Sequence, residues 1–317
     1  MNEKIPLITV CGPTASGKTA VAVSLAKRLD GEVVSADSMQ VYKYMDIGTA
    51  KPTKAEMDGV PHHMLDFLGP GEAFSVADYV RLAGKAVGDI ASRGKRPILA
   101  GGTGLYISSL INGVGFEDMP GGAGIREELE AAAREKENAG EYLRGLLNEI
   151  DPELAASLHP NDRGRIIRAI EVYRLTGITM TEHQRRSREK PGVYEPLIIG
   201  LTFSDRQLLY DRIDSRVDGM MESGLLEEAR LLRDQYSRTA AQAIGYKELA
   251  AYFRGEESLE TAAETIKRET RRYAKRQLTW LRREKSIRWF NMDDPESMER
   301  ITTLAEEFAG GGTSGII

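Results

Sequence analysis

The sequence predicts an α/β fold: a parallel sheet with flanking helices, interrupted by a helical insertion. Three observations lead there. Short apolar, β-branched runs alternate with stretches of helical spacing in the N-terminal third of the chain. Glycine-rich turns follow two of those runs. A long stretch without a strand-like run then intervenes before one further strand candidate appears. Strands alternating with helices call for a parallel sheet covered on both faces.

The elements follow in order. Pro6 to Cys11 (PLITVC) reads as a buried strand that ends at Gly12. Thr19 to Arg28 has helical spacing, with Val21, Leu25 and Leu29 recurring every four residues. Glu32 to Ala36 is a second strand. Asp78 to Arg93 is a helix with Val80, Ala83, Val87 and Ile90 on one stripe. Arg96 to Ala100 is a third strand, closed by Gly101-Gly102. Two breaker-rich segments, Glu117 to Gly124 and Lys190 to Pro196, bracket a helical stretch. In it Arg165 to Leu175 forms a helix that Gly177 stops. Leu197 to Phe203 resumes the sheet. Ser204-x-x-Gln207 resembles a capping box opening the next helix. The expected domains are therefore 1–116 with 197–309 as the core and 117–196 as a mobile helical insertion, with 310–317 a disordered tail.

The bulk numbers narrow the class. The 317 residues suffice for a large core plus a smaller domain. No apolar run is long enough to span a bilayer, and the first residues lack the pattern of a signal peptide. The single cysteine, Cys11, builds neither a disulfide framework nor a cysteine-based zinc site. A reducing, cytoplasmic setting is expected, with no membrane partner. The net charge is −5, but Ile266 to Arg288 holds ten basic and two acidic residues, and Asn161 to Lys190 holds eight and four. An acidic body with two basic patches suits a nucleic-acid partner, although two solvated helix faces would look the same.

Residues Gly12-Pro13-Thr14-Ala15-Ser16-Gly17-Lys18-Thr19 fit G-x-x-x-x-G-K-[ST] between a strand and a helix, which makes the sheet P-loop-type. Backbone N–H groups and the helix N-terminus cradle phosphate oxygens, Lys18 adds a point charge, and the Thr19 hydroxyl is a ligand for Mg2+. Such loops bind nucleotides such as ATP, but the loop alone specifies only a di- or triphosphate. ATPases and GTPases add an acid at the end of an apolar strand; here Arg96 to Ala100 runs into Gly101-Gly102-Thr103-Gly104 instead. The acid stands after the second strand, as Asp37-Ser38-Met39-Gln40-Val41-Tyr42. Carboxyl ends of parallel strands line the ligand crevice, so Asp37 is expected near the phosphate loop, where it can accept a proton. Ser38 and Gln40 offer groups that read a base edge. Asp37 as a helix cap, or as a support for magnesium through water, is the plainer alternative. Thr103 is expected to project its hydroxyl into the same crevice. Arg212 and Arg216 share a helix face, and from the residues alone read as a surface pair. His62 and His63 read as structural, not as a metal pair, and Cys11 as a buried small hydrophobe.

GPTASGKT, DSMQVY and GGTGLY occur in the order and spacing found in tRNA dimethylallyltransferases. PHHMLD (Pro61 to Asp66), HPNDRGRIIRAIEVY (His159 to Tyr173), QAIGYKE (Gln242 to Glu248) and RYAKRQLTWLR (Arg272 to Arg282) resemble that family as well. The resemblance spans Pro6 to Phe290 and is to the short, bacterial-type form, since no zinc finger follows. It implies transfer of a dimethylallyl group from its diphosphate to N6 of adenosine 37, beside the anticodon. It implies Asp37 as general base, Thr103 as a hydrogen-bonding partner of the amine or leaving group, and Arg216 as the arginine that reaches the diphosphate. The loop Gly12 to Thr19 then holds the leaving diphosphate with Mg2+. Asp37, Ser38, Met39, Gln40 and Thr103 would meet the tRNA anticodon stem-loop, with Gly164, Arg165, Ile166, Ile167 and Arg168 of the insertion, Arg126, Gln242 and Lys247. A monomer is implied. Val41, Tyr42, Met45 and Leu105 are candidate walls of an apolar prenyl channel. Three readings stay open beside this one. They are an adenylate dimethylallyltransferase using free AMP, ADP or ATP, a small-molecule kinase with Arg185 to Glu189 imitating a lid, and a non-catalytic RNA-binding module.

Overall fold

The computed structural model describes residues 4–113, 123–189, 192–237 and 239–311. These divide into two compact units, 1–111 with 193–317, and 112–192.

In the first unit a six-stranded sheet has the order β3-β2-β4-β1-β5-β6. Its strands are β1 (Ile5–Cys11), β2 (Gly31–Ala36), β3 (His62–His63), β4 (Arg96–Gly101), β5 (Tyr194–Thr202) and β6 (Arg288–Asn291). Every pairing is parallel. β5 starts earlier than the apolar run Leu197 to Phe203 announces, because Ile5 pairs with Tyr194 and Pro6 with Glu195 at its polar beginning.

The helices of this unit are α1 (Lys18–Arg28), α2 (Lys54–Met57), α3 (Val76–Ser92) and α4 (Gly104–Ile111), then α10 (Arg206–Glu222), α11 (Leu225–Leu232), α12 (Ala250–Phe253), α13 (Leu259–Leu281) and α14 (Ser297–Ala309). Neighbouring strand residues send side chains to opposite faces. Leu7, Val34, Leu99 and Ile198 pack with α3 and α4. Ile8, Val33, Ile98 and Ile199 pack with α1 and α14. Strands apolar on both faces are what a sheet sandwiched by helices requires. The α3 stripe is led by Tyr79, not Val80; Tyr79 is fully buried, stacks on Tyr106 at 4.0 Å and donates its hydroxyl to Ser35 O at 3.0 Å.

The second unit contains α5 (Ala123–Arg134), α6 (Ala139–Ile150), α7 (Pro152–Ser157), α8 (Arg163–Thr176) and α9 (Met180–Glu189). Leu129, Leu143, Leu147, Ile166 and Ile170 form its own core. Gly177 ends α8 at φ 71°, as its position in the sequence suggests. Residues 117–122 and 190–191 of the breaker segments, and 312–317 of the expected tail, lie outside the described residues.

Candidate active site

The phosphate loop leaves β1 at the buried Cys11 and enters α1 through Gly17, whose φ of 90° lies in the region glycine tolerates. No side chain caps the first amides of α1, so they remain free for an anion. Lys18 Nζ donates to Pro13 O at 2.7 Å. Burial first, and then the charge of Arg216, push the Lys18 ammonium down to about 8, while Asp37 pulls the other way. Burial holds the Cys11 thiol up at about 12, so it is no nucleophile at neutral pH.

Two arginines of α10 brace this loop. Arg212 Nε donates to Ala15 O at 3.0 Å and its guanidinium lies 5.5 Å from the Phe203 ring. Arg216 Nη1 reaches Thr14 Oγ1 at 3.5 Å. Burial lowers the pKa of Arg216, and the carboxylates of Glu56 and Asp37 oppose that. The surface pair of the sequence reading is thus a loop brace and a cavity cation. Helix α10 also begins differently from expectation. Asp205 caps it by accepting from Gln207 N at 2.8 Å, while Ser204 binds Asp293 with its amide at 2.9 Å and with its hydroxyl. The cap falls one residue later because Ser204 is drawn toward the loop after β6.

Gln277 of α13 is a participant the sequence reading missed. Its Oε1 accepts from Thr14 N at 2.9 Å and its Nε2 donates to Gly102 O at 3.0 Å, tying the phosphate loop to the glycine turn after β4. A signal existed: Ala274, Gln277 and Leu281 fall at helical spacing and all are buried, so a neutral amide sits on an apolar stripe.

Asp37 follows β2 in a tight turn, not a helix. Its Oδ1 accepts from Met39 N at 2.9 Å and Gln40 N at 3.4 Å. The turn is locked from behind, since Ser38 N donates to Thr103 Oγ1 at 3.1 Å. The Thr103 hydroxyl accepts that bond, lies 3.4 Å from Ser38 Oγ, and is close enough to Tyr273 of the cavity wall to pull the Tyr273 pKa down against its burial. Gln40 lines the cavity, yet its amide is taken: Nε2 donates to Thr49 O at 3.3 Å and Ala50 O at 3.1 Å, and Oε1 accepts from Ser35 Oγ at 3.2 Å. It holds the 49–50 turn and has no free donor for a base edge.

The Gly12 to Thr19 loop, the turn after Asp37, α10 and α13 all contribute to one cavity of about 930 Å3. Thr14, Lys18, Thr19 and Arg216 line it at the phosphate loop, and Asp37, Ser38 and Met39 join them. Gln242 and Lys247 line it too, so motifs roughly 200 residues apart in sequence meet here. Its apolar lining comes from Val217, Met220, Ile244 and Ile266, with Tyr273. The channel walls expected from sequence are not there. Val41, Tyr42 and Met45 are fully buried behind the apolar lining, in the same core cluster as Val217 and Ile266, and Leu105 is 53% exposed. Apolar residues beside a motif looked like lining, but core packing claimed three of them.

The expected RNA contacts of the insertion divide. Ile166 and Ile167 are core residues of that unit, so their side chains hold α8 in place. Gly164, Arg165 and Arg168 are exposed. Arg126 is committed to a bidentate pair with the buried Glu171 at 3.1 and 2.8 Å. Arg185 and Arg186 both bind Glu182. His63 Nε2 lies 2.7 Å from Glu32 Oε2, and His62 Nδ1 lies 2.9 Å from Val60 O. Arg93 completes that cluster with 2.5 and 2.8 Å contacts, and its guanidinium above all holds the Glu32 carboxyl down at about 2.

A glycine-rich loop at a helix N-terminus, with a carboxylate and an arginine sharing its cavity, is the arrangement that a group-transfer enzyme of the P-loop class requires. The comparisons sharpen that class. The chain belongs to the IPP transferase family, whose model matches residues 40–284. It is 49% identical over 312 residues to the tRNA dimethylallyltransferase of Caldanaerobacter subterraneus subsp. tengcongensis, covering 97% of this chain and 98% of that one. It resembles the crystal structure of the full-length tRNA isopentenylpyrophosphate transferase from Bacillus halodurans, with TM-score 0.73, 45% identity and 98% of each chain covered. A eukaryotic dimethylallyltransferase acting on tRNA superposes with TM-score 0.80 at 28% identity, over 97% of this chain and 80% of that one.

Proposed function

We infer that this chain transfers a dimethylallyl group from dimethylallyl diphosphate to N6 of adenosine 37 in tRNA and releases diphosphate. The observation that carries the reading is the single cavity in which Lys18 and Arg216 stand beside Asp37 while Gln242 and Lys247 line the same space. The relatives named for tRNA prenyl transfer support it. In the transfer the allylic C1–O bond breaks and its electron pair leaves with diphosphate. The N6–C1 bond forms, and Asp37 accepts the N6 proton. Lys18, Arg216 and the free amides of α1 meet the charge that grows on the leaving group. Apolar residues such as Met220 and Ile266 keep water from the allylic carbon.

The Thr19 hydroxyl lines the cavity beside Lys18, and a hard oxygen donor of this kind suits Mg2+. When bound, the ion supplies further positive charge to the diphosphate oxygens. Gly164, Arg165 and Arg168 on the insertion, and the basic face of α13, are offered to RNA phosphates. Among the described residues no helix is long and apolar enough to cross a membrane; a cytoplasmic monomer is the working expectation, and light scattering tests the oligomeric state.

The deciding experiment uses labelled dimethylallyl diphosphate, Mg2+ and either unmodified tRNA or AMP. Wild type labels tRNA, and Asp37→Ala lowers the transfer rate by roughly 10²–10⁴-fold, the usual share of a general base. Label appearing in AMP alone moves the chain to free nucleotides. ATP consumption without label in either acceptor replaces the reading by a kinase.

A further inference from the structure

Two strips of the cavity wall lie apart from the Gly12 to Thr19 loop: Gly48 to Ala50, and Gln242 to Gly245 with Lys247. The first strip is irregular backbone; the second includes only short 3-10 turns, Ala240–Gln242 and Lys247–Leu249. Segments of this kind need tertiary bonds to keep one conformation.

One carboxylate, that of Glu228 on α11, supplies them to both strips. Its oxygens accept from Asp46 N at 2.8 Å, Ile47 N at 2.9 Å, Gly48 N at 2.9 Å and Tyr246 Oη at 2.6 Å. Three successive amides and a tyrosine hydroxyl satisfy it as a bound anion would be satisfied. Burial, followed by the neighbouring Glu228, raises the Tyr246 pKa far above neutrality, so that hydroxyl stays a donor. The fit leaves no slack: a Cβ added at Gly48 would collide with the Tyr246 ring. On the second strip, Gly245 N donates to Glu248 Oε2 at 2.9 Å. Glu228 itself does not line the cavity and cannot touch a substrate there.

We propose that Glu228 is a positioning residue for the acceptor RNA: it fixes the 46–48 backbone against Tyr246 and so sets the gap between the two strips into which the acceptor enters. The strips present the exposed side chains of Gln242 and Lys247, groups suited to RNA base edges and phosphates, and none of the phosphate-loop groups. The inference rests on the tRNA reading above. It predicts a division between the two substrates, because the Gly12 to Thr19 loop is braced by Arg212 and Gln277 and does not depend on Glu228.

The test compares wild type, Glu228→Gln and Tyr246→Phe in steady-state transfer to an unmodified anticodon stem-loop. Inorganic pyrophosphate affinity and amide exchange over residues 46–48 are measured on the same samples. Glu228→Gln keeps the shape but turns an acceptor oxygen into an NH2 facing donors. It is expected to raise KM for the stem-loop about tenfold or more, with pyrophosphate affinity within about twofold and faster exchange of the 46–48 amides. Tyr246→Phe, which removes a single donor, raises the same KM by about threefold to fivefold and decides the matter if Glu228→Gln fails to fold. An unchanged stem-loop KM, or a loss shared equally with pyrophosphate, overturns the proposal. If wild type itself transfers nothing to RNA, the tRNA reading has failed and this inference falls with it. If wild type does transfer, and exchange over 46–48 is the same in Glu228→Gln, the tether alone is refuted.

Discussion

The two ends of the cavity are built by opposite means. At the phosphate end a contiguous run, Gly12 to Thr19, forms the floor of the cavity. Its neighbours brace it and line the cavity as well: Arg212 on Ala15, Arg216 on Thr14 and Gln277 on the Thr14 amide. At the acceptor end no contiguous run does the work. The turn after Asp37, the 48–50 strip and the Gln242 to Lys247 segment are separate loops, held by side chains whose polar atoms go to backbone. Gln40 takes Thr49 and Ala50; Lys51 takes Tyr42 O at 2.8 Å and two aspartates. One end presents backbone amides to the ligand, and the other spends side chains on shaping backbone. A diphosphate has one shape and suits a local motif, whereas an RNA loop needs a surface assembled from distant segments.

Substitutions should expose that contrast. The largest loss expected after Asp37 itself is at Arg216, because its charge meets the leaving group directly. Arg216→Gln should lower kcat/KM for dimethylallyl diphosphate by roughly 10²–10³-fold, with stem-loop affinity nearly unchanged in equilibrium binding. The pH profile comes next. Lys18 binds the anion when protonated, and in the free protein its pKa is lowered to about 8. A bound diphosphate raises that pKa, so kcat/KM for the diphosphate should be flat below pH 8 and fall by up to about tenfold per unit above it. Loss of that descent in the stem-loop KM, measured at saturating diphosphate, would sharpen the division of the ends. Gln277→Leu should raise KM for the diphosphate about fivefold to tenfold by freeing the Thr14 amide and the glycine turn, with little effect on stem-loop KM. A variant that weakens both substrates equally would blur the two ends into one unit.

The smallest effect on activity is expected at Arg93, on the strand edge away from this chemistry. Arg93→Ala strips the buried Glu32 of its bidentate partner and should lower the unfolding temperature with transfer rates unchanged, read by thermal unfolding. The Glu32 carboxyl is held down to about 2 from 4.5. Its stabilising contribution is therefore present above the ordinary carboxyl range and lost as pH falls toward 2. In the Arg93 variant that acid-side loss should shrink.

The same contrast governs what the sequence discloses. The phosphate loop and the position of Asp37 after β2 are legible because local spacing creates them: a strand, a glycine turn and a helix N-terminus. The sheet was legible for the same reason, in runs such as Leu99 and Ile198 that are apolar on both faces. The polar start of β5 at Tyr194 was not, since it pairs only because Ile5 lies beside it. Gln40 bears an amide that suits a base edge, but bonds to Ser35 and to the 49–50 turn consume it. Val41, Tyr42 and Met45 follow Asp37 in the chain and yet turn into the core. Hydrophobicity marks a residue for burial without saying whether a ligand or another helix will cover it.

Helix α13 has one further consequence. Ile266, Thr270, Tyr273, Arg276 and Gln277 all line the cavity, so a single rigid element runs along it and ends at the phosphate loop. From Ile266 to Gln277 there are eleven steps of about 1.5 Å each, which makes that stretch roughly 16 Å long. On the transfer reading it is a ruler, setting how far a diphosphate held at the loop would stand from the lining contributed by Ile266. Inserting or deleting one residue between those positions would rotate one end by about 100° against the other.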